Sequence, residues 1–181
     1  DTAAGADAAL GPMPEWNLGD LYTSTEAPEL ARDLKWSAEE AKRLRTTYQG
    51  KLVGLGNDGA ALAVAVKAYE ALQDVVGRIG SFAGLLYYAD TSDTARAKFF
   101  GDMQSKITAL STDLVFFELE LNQIDDAALD TVLKHPDLVR YTPWFADLRK
   151  EKKYQLDEQL EKLFVEKAAT SRSAWDRLFN E

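Results

Sequence analysis

The chain has no cysteine and a single histidine, His135. Without cysteine there is no disulfide, iron–sulfur cluster, thiolate-bound zinc or thiol nucleophile. With one histidine, no metal site built on a histidine pair can be completed from this chain, and a Ser-His-Asp triad would have to use His135. Proline is scarce as well: five in 181 residues, with none between Pro28 and Pro136, so nothing of that kind interrupts helical hydrogen bonding over the middle of the chain. Basic residues are outnumbered, 21 Lys and Arg against 30 Asp and Glu, for a net charge of -9. A surface that neutralises phosphates carries the opposite balance, so nucleic acid is not an expected partner. No run of 18 apolar residues occurs, and no membrane span is expected.

What is present suits a folded globular chain: 46% hydrophobic and 28% charged residues. Residues 1–14 (DTAAGADAALGPMP) are small and rich in Ala and Gly and read as a flexible tail. Residues 15–181 read as one helical domain. The chain begins at Asp1 rather than Met, as it would after loss of a signal peptide, a tag or an upstream segment. A cytoplasmic location is expected, and the Ala-rich start would also suit an exported precursor.

Strand-type alternation bounded by turn signals is absent and the apolar spacing is helical nearly throughout, which predicts an all-α fold. Pro28 suits the first turn of a helix reaching Tyr48, with Leu30, Leu34, Ala38, Ala41, Leu44 and Tyr48 on its apolar face. Gly54–Gly59 breaks the chain, and Asn57 or Asp58 then caps a second helix reaching about Ala89. Asp90–Asp93 reads as a turn, with Asp93 or Thr94 capping a third helix to about Ile124. Asp125-Asp126 opens a short helix to Lys134, stopped by His135-Pro136 because the residue before proline disfavours α geometry. Further helices are predicted over Leu138–Tyr154, Asp157–Ala169 and Ser173–Phe179.

The two long helices carry unbroken seams. Ala61, Ala65, Ala68, Leu72, Val75, Ile79, Phe82 and Leu86 are spaced 4, 3, 4, 3, 4, 3, 4, and Phe100, Met103, Ile107, Leu110, Leu114, Phe117, Leu121 and Ile124 are spaced 3, 4, 3, 4, 3, 4, 3. Reversed against each other they pair one to one, from 86 with 100 down to 61 with 124, and the paired numbers always sum to 185 or 186. The fold-back point then falls near residue 93, inside the Asp90–Asp93 turn. An antiparallel hairpin of helices 58–89 and 94–124 follows, each arm about 45 Å long. Ala61, Ala65 and Ala68 stand opposite Ile124, Leu121 and Phe117, small against large, as a void-free seam requires.

Few residues offer chemistry. No G-x-S-x-G pattern accompanies His135 and no second ligand stands at helical spacing from it, so it reads as a structural residue at a helix end, where a cation meets the last carbonyls. Carboxylates are grouped at Glu39-Glu40, Glu118 with Glu120, Asp125-Asp126, and Glu158 with Glu161, without any Glu-x-x-His pair of the kind a di-iron bundle uses. Asp125-Asp126 is a helix start, and the others read as solvated. Gly77, Gly80 and Gly84 each cost a helix interior about 1 kcal/mol relative to alanine, which close approach of another helix, a curve in the arm, or a backbone facing a peptide would offset. Tyr87 and Tyr88 follow near the hairpin tip and are the candidate peptide-contact residues. Arg149–Lys153 is a local basic run, read as a solvated helix face or a docking point for an acidic surface. Leu85–Tyr88 and Val115–Phe117 are the strings expected to form an apolar surface covered by another part of a longer protein or by self-association. No catalytic, cofactor-binding or metal-binding residue is assigned.

Several strings together point to a family. Trp16-Asn-Leu-Gly-Asp-Leu-Tyr22 resembles the W-x-L-x-D-L-Y opening of oligoendopeptidase F. Tyr48–Leu52, Tyr69–Leu72, Leu86–Thr91, Phe116–Leu121, Leu148–Lys150, Tyr154–Glu161 and Ser173–Phe179 are similar to that family in the same order and spacing, over residues 16–179. The resemblance implies the N-terminal helical lobe of a clamshell zinc metallopeptidase that cuts short peptides at the bottom of a deep channel. The family's H-E-x-x-H motif, in which two histidines hold zinc and the glutamate activates water, is absent here. No catalytic or metal residue is therefore carried over, and zinc is expected in the parent enzyme rather than in this segment.

The expected role is a channel wall that admits short flexible peptides and excludes folded proteins. The expected partners are the C-terminal catalytic region of the parent and short peptide substrates. The segment is expected to be inactive alone. The alternative from another class is a free-standing, non-enzymatic helical binding or scaffold module using the same hairpin.

Overall fold

The computed structural model describes residues 16–168 and 170–180. Among these, regular secondary structure is helical throughout, in agreement with the predicted all-α class. Helix α1 spans Pro28–Tyr48, α2 Gly59–Ala89, α3 Thr94–Gln123, α4 Asp126–Val132, α5 Thr142–Glu151, α6 Glu158–Ala168 and α7 Arg172–Asn180. Single 3-10 segments lie at Leu52–Asn57, Val139–Tyr141 and Lys152–Tyr154. The tail over 1–14 lies outside the described residues.

The helix starts follow from side-chain caps. Asp58 accepts from the Ala61 N–H at 3.0 Å, Asp93 from Ala95 and Arg96, and Asp125 from Ala127 and Ala128. Each satisfies N–H groups that the first helical turn leaves unpaired. α1 instead opens on Pro28, whose missing N–H costs nothing there, and ends at Gly50, where φ of +77° favours the one residue without a Cβ.

α2 and α3 form the antiparallel hairpin in the predicted register. Tyr69 stacks on Phe117 with ring centroids 4.2 Å apart and planes 6° apart, and these two positions sum to 186. Phe82 and Met103 share one buried cluster, and Ala65 and Leu121 share the other. At Gly80 an added Cβ would stand 3.3 Å from the Ile107 side chain, so the missing methyl lets the arms approach. Gly77 meets nothing within 4 Å, and Gly84 would meet Phe100 only at ordinary contact distance. Close helix approach accordingly accounts for one of the three glycines.

α1 lies along both arms and completes a three-helix bundle. Its buried stripe differs from the predicted apolar face. Leu30, Asp33, Ser37, Ala41 and Leu44 are buried, while Ala38 is exposed and Leu34 half-buried. The stripe tolerates Asp33 because its carboxylate is satisfied: Tyr22 Oη donates to Oδ2 at 2.9 Å, Arg78 Nη2 donates to the same oxygen at 2.6 Å, and Arg32 Nε donates to Oδ1 at 3.1 Å. Arg78 also lies over the Tyr22 ring, 5.3 Å from its centroid. The Trp16–Tyr22 string is thereby tied to α1 and α2.

The predicted helix over Leu138–Tyr154 is three pieces. α5 restarts at Thr142-Pro143, and 3-10 turns flank it on both sides. α5 is fastened to the end of α3. Asn122 Nδ2 donates to the Leu148 carbonyl at 3.0 Å, and Arg149 donates to the carbonyls of Asn122 and of Ile124, the latter at 2.7 Å. The Asn122 and Ile124 carbonyls lie at the C-terminal end of α3, which leaves them without helical partners.

Candidate functional site

At the hairpin tip, α2 ends with Tyr87 and Tyr88 and α3 brings Phe100 beside them. Tyr87 is half-buried and stacks on Phe100, centroids 5.0 Å apart with planes 6° apart. Tyr88 is 59% exposed and leans on both rings, 5.2 Å from Tyr87 and 6.1 Å from Phe100. The tip therefore offers one open tyrosine ring and hydroxyl on a rigid aromatic base. The turn behind it is closed by Asp90, which accepts from both the N–H and the hydroxyl of Ser92. Those bonds hold the Asp90 carboxyl below its ordinary value. The two candidate peptide-contact residues are thus adjacent, with different exposure.

The carboxylates read as solvated are not all so. Glu120 is buried and accepts from the Gly50 N–H at 2.6 Å and the Leu52 N–H at 3.1 Å. It clamps the connection between α1 and α2 onto α3, a structural role that no local spacing announces. Glu118 accepts from the Tyr69 hydroxyl at 3.0 Å. Burial, and then the Glu118 charge, push the Tyr69 phenol well above its usual range. The basic run is likewise committed. Arg149 caps α3, Lys150 pairs with Asp147 at 2.5 Å, Lys152 with Asp126 at 3.3 Å, and Lys153 lies 4.7 Å from the Tyr154 ring centroid.

His135 packs on the start of α2: a Cβ added at Gly59 would stand 2.8 Å from its own Cβ. Its Nδ1 accepts the Asp137 N–H at 3.3 Å rather than meeting the last carbonyls of α4. Lys67 donates to Asp137 at 2.7 Å and holds that carboxyl below its ordinary value. Among the described residues no group of three His, Asp or Glu side chains stands where it could hold a metal ion. No described helix is long and apolar enough to cross a membrane.

The unpartnered surface lies elsewhere than expected. Phe116 and Phe117 are core residues, and Val115 and Leu85–Tyr87 are half-buried. Leu114, Phe116, Phe117 and Leu121 belong to the core cluster that also takes in Leu62, Ala65, Tyr69 and Leu72 of α2, and Leu86 packs against the second cluster. The exposed apolar side chains are concentrated in the C-terminal helices: Leu160, Leu163 and Phe164 on α6, and Trp175, Leu178 and Phe179 on α7. α6 packs on α3 with Glu158, Lys162 and Val165 half-buried, and Gln49, just past the end of α1, donates to Glu158 at 2.8 Å. Its polar side therefore faces the bundle and its apolar side faces out. A cleft of about 620 Å³ runs beside Leu160 and Leu163, flanked by Asp157, Lys162 and Glu166. The i, i+3, i+4 spacing of both triads was visible in the sequence, but which way the helices turn was not.

Residues 120–181, about a third of the chain, match a family model for the N-terminal region of M3 peptidases, described as oligopeptidase F. The matched stretch takes in the Leu148–Lys150, Tyr154–Glu161 and Ser173–Phe179 strings and bears out the resemblance drawn from them. It includes α4 to α7 and the last turn of α3. No curated protein and no solved structure matches the chain.

Proposed function

From this peptidase-family N-terminal region, we propose that the chain is the helical channel-wall part of an oligoendopeptidase F-like zinc metalloendopeptidase acting on short peptides. The observation that carries the reading is the match over residues 120–181. The long, stiff hairpin supports it. A wall of packed helices bars folded proteins by size and leaves room for extended peptides, and rigidity keeps that selection sharp. Tyr88 would meet peptide side chains through its ring and peptide carbonyls through its hydroxyl, with Tyr87 and Phe100 fixing its position. The wall's partner would be a catalytic region carrying H-E-x-x-H, whose two histidines would hold a zinc ion that would supply Lewis-acid chemistry for peptide hydrolysis. A cytoplasmic location belongs to the same reading.

In this account the chain by itself hydrolyses nothing. Mixed with an internally quenched peptide and zinc, it should give no turnover, and calorimetric titration should find no tight zinc site. Zinc-dependent cleavage by this chain alone would overturn the proposal.

A further inference from the structure

We propose that residues 16–27 are a latch over the tip half of the hairpin, and that this half opens as a unit while the base half stays folded. Nothing in it depends on the peptidase reading. The core is divided. Among the described residues, buried apolar side chains fall into two clusters, with 22 members toward the base and 7 toward the tip. The division crosses all three long helices. Leu30 of α1, Ile79 of α2 and Met103 of α3 belong to the tip cluster, while Ala41, Val76 and Leu110 of the same helices belong to the base, and Ile107 packs on both.

The tip half is the weaker one on three grounds. Its smaller cluster has less apolar burial with which to offset the entropy of ordering the chain. Every glycine past the first turn of either arm lies at the division or on its tip side: Gly77, Gly80 and Gly84 on α2, and Gly101 on α3. A Cβ at Gly77 or at Gly101 would meet nothing within 4 Å. Space does not call for glycine at those two positions, and what it brings there is a looser helix. The cover over the tip cluster is also irregular. Among the described residues, the backbone hydrogen bonds of 16–27 run within the segment or to Ala31 of α1, and Leu18 and Leu21 lie half-buried against the cluster.

Tyr22 fastens this cover. It is 4% exposed, and its ring meets Phe82 edge-on with centroids 5.4 Å apart. Its hydroxyl donates to the Asp33 oxygen that also accepts from Arg78. One phenol thus joins the cover to α1 and α2. Phe82 in turn meets Phe99 edge-on at 6.0 Å, and Phe99 precedes Phe100, on which Tyr87 stacks. Tyr87 and Tyr88 therefore ride on the half that opens, and the latch sets how firmly that pair is held.

Native-state hydrogen exchange on the whole chain, read amide by amide, tests this. In the wild type, amides at 82–86 and 99–105 should exchange at least about tenfold faster than those at 65–72 and 114–121. Two variants then distinguish one cooperative unit from two. Tyr22→Phe keeps the ring and removes a hydrogen bond that is lost in tip opening and in global unfolding alike, so it should speed both sets by roughly tenfold or more. Ile124→Val trims the base cluster, which stays intact when the tip alone opens. It should speed the base set by about three- to tenfold and leave the tip set unchanged. Equal protection of the two sets in the wild type would overturn the proposal. Tip amides that quicken with Ile124→Val as much as the base amides do, or that ignore Tyr22→Phe, would overturn it equally.

Discussion

Around the base of the hairpin, Phe116, Phe117 and Phe145 are sealed from solvent. In the C-terminal helices, Phe164, Trp175 and Phe179 stand open. The residue types are alike and the helical spacing is alike. What differs is the company. α3 is long enough to be shared by α1, α2 and α6, and Met103, Leu110, Leu114, Phe116, Phe117 and Leu121 along it are buried. α6 and α7 are short, and α6 spends its half-buried side on charges: Lys162 pairs with Glu158 at 2.5 Å, and Glu158 accepts from Gln49. An amphipathic pattern thus specifies a helix and a stripe, while burial of the stripe depends on a second surface of matching length.

The contrast can be broken most forcefully at Phe117. Phe117→Ala removes a fully buried ring stacked on Tyr69 and should cost about 3–5 kcal/mol in urea unfolding. Phe164→Ala should change stability by less than about 0.5 kcal/mol. Equal losses at the two positions would mean that α6 belongs to the same core. Glu120→Ala strips the acceptor from two backbone N–H groups at Gly50 and Leu52 and should cost about 2–3 kcal/mol, whereas Glu166→Ala on the outer helix should be near neutral.

A pH test sharpens the same division. Tyr69 has its pKa raised in the fold, so the native state holds that proton more tightly than the unfolded chain does. Its contribution is intact below the ordinary tyrosine value of 10.0 and is lost as pH rises through and beyond it. The extra slope reaches about 1.4 kcal/mol per pH unit, and Tyr69→Phe should remove that slope from the unfolding midpoint plotted against pH. A variant that keeps the wild-type slope would show that Tyr69 is not the group responsible. Gly50→Ala should cost about 1 kcal/mol, because alanine must adopt the left-handed conformation at φ +77°.

The sequence was most legible where two long patterns had to agree. The sum of 185 or 186 across the seam, the turn at its centre and the aspartate caps placed both arms within a residue or two. Local spacing could not reveal what depends on a distant backbone. Glu120 serves N–H groups about seventy positions earlier, and Arg149 serves carbonyls at Asn122 and Ile124. Each reads as a surface charge until the fold brings its partner near. The α1 stripe holds at Leu30, Ala41 and Leu44, but Ala38 is exposed and Asp33 joins the buried side for a related reason: it counts as polar in the sequence and as core once Tyr22 and Arg78 stand beside it. At the candidate site, Tyr87 and Tyr88 were legible as a tip pair, but Phe100, which orders them, comes from the other arm. The apolar face was sought in Val115–Phe117 and lies in α6 and α7, since exposure is decided by which surfaces lack a neighbour.

The proposal that these helices are the non-catalytic front of a peptidase has a direct test. The intact mass of the protein made from its native gene, read together with the frame that encodes it, tests this most directly. The account predicts a mass well above that of these 181 residues and an H-E-x-x-H motif in the additional sequence. A native protein with the mass of these residues alone, or a longer one without that motif, would contradict it.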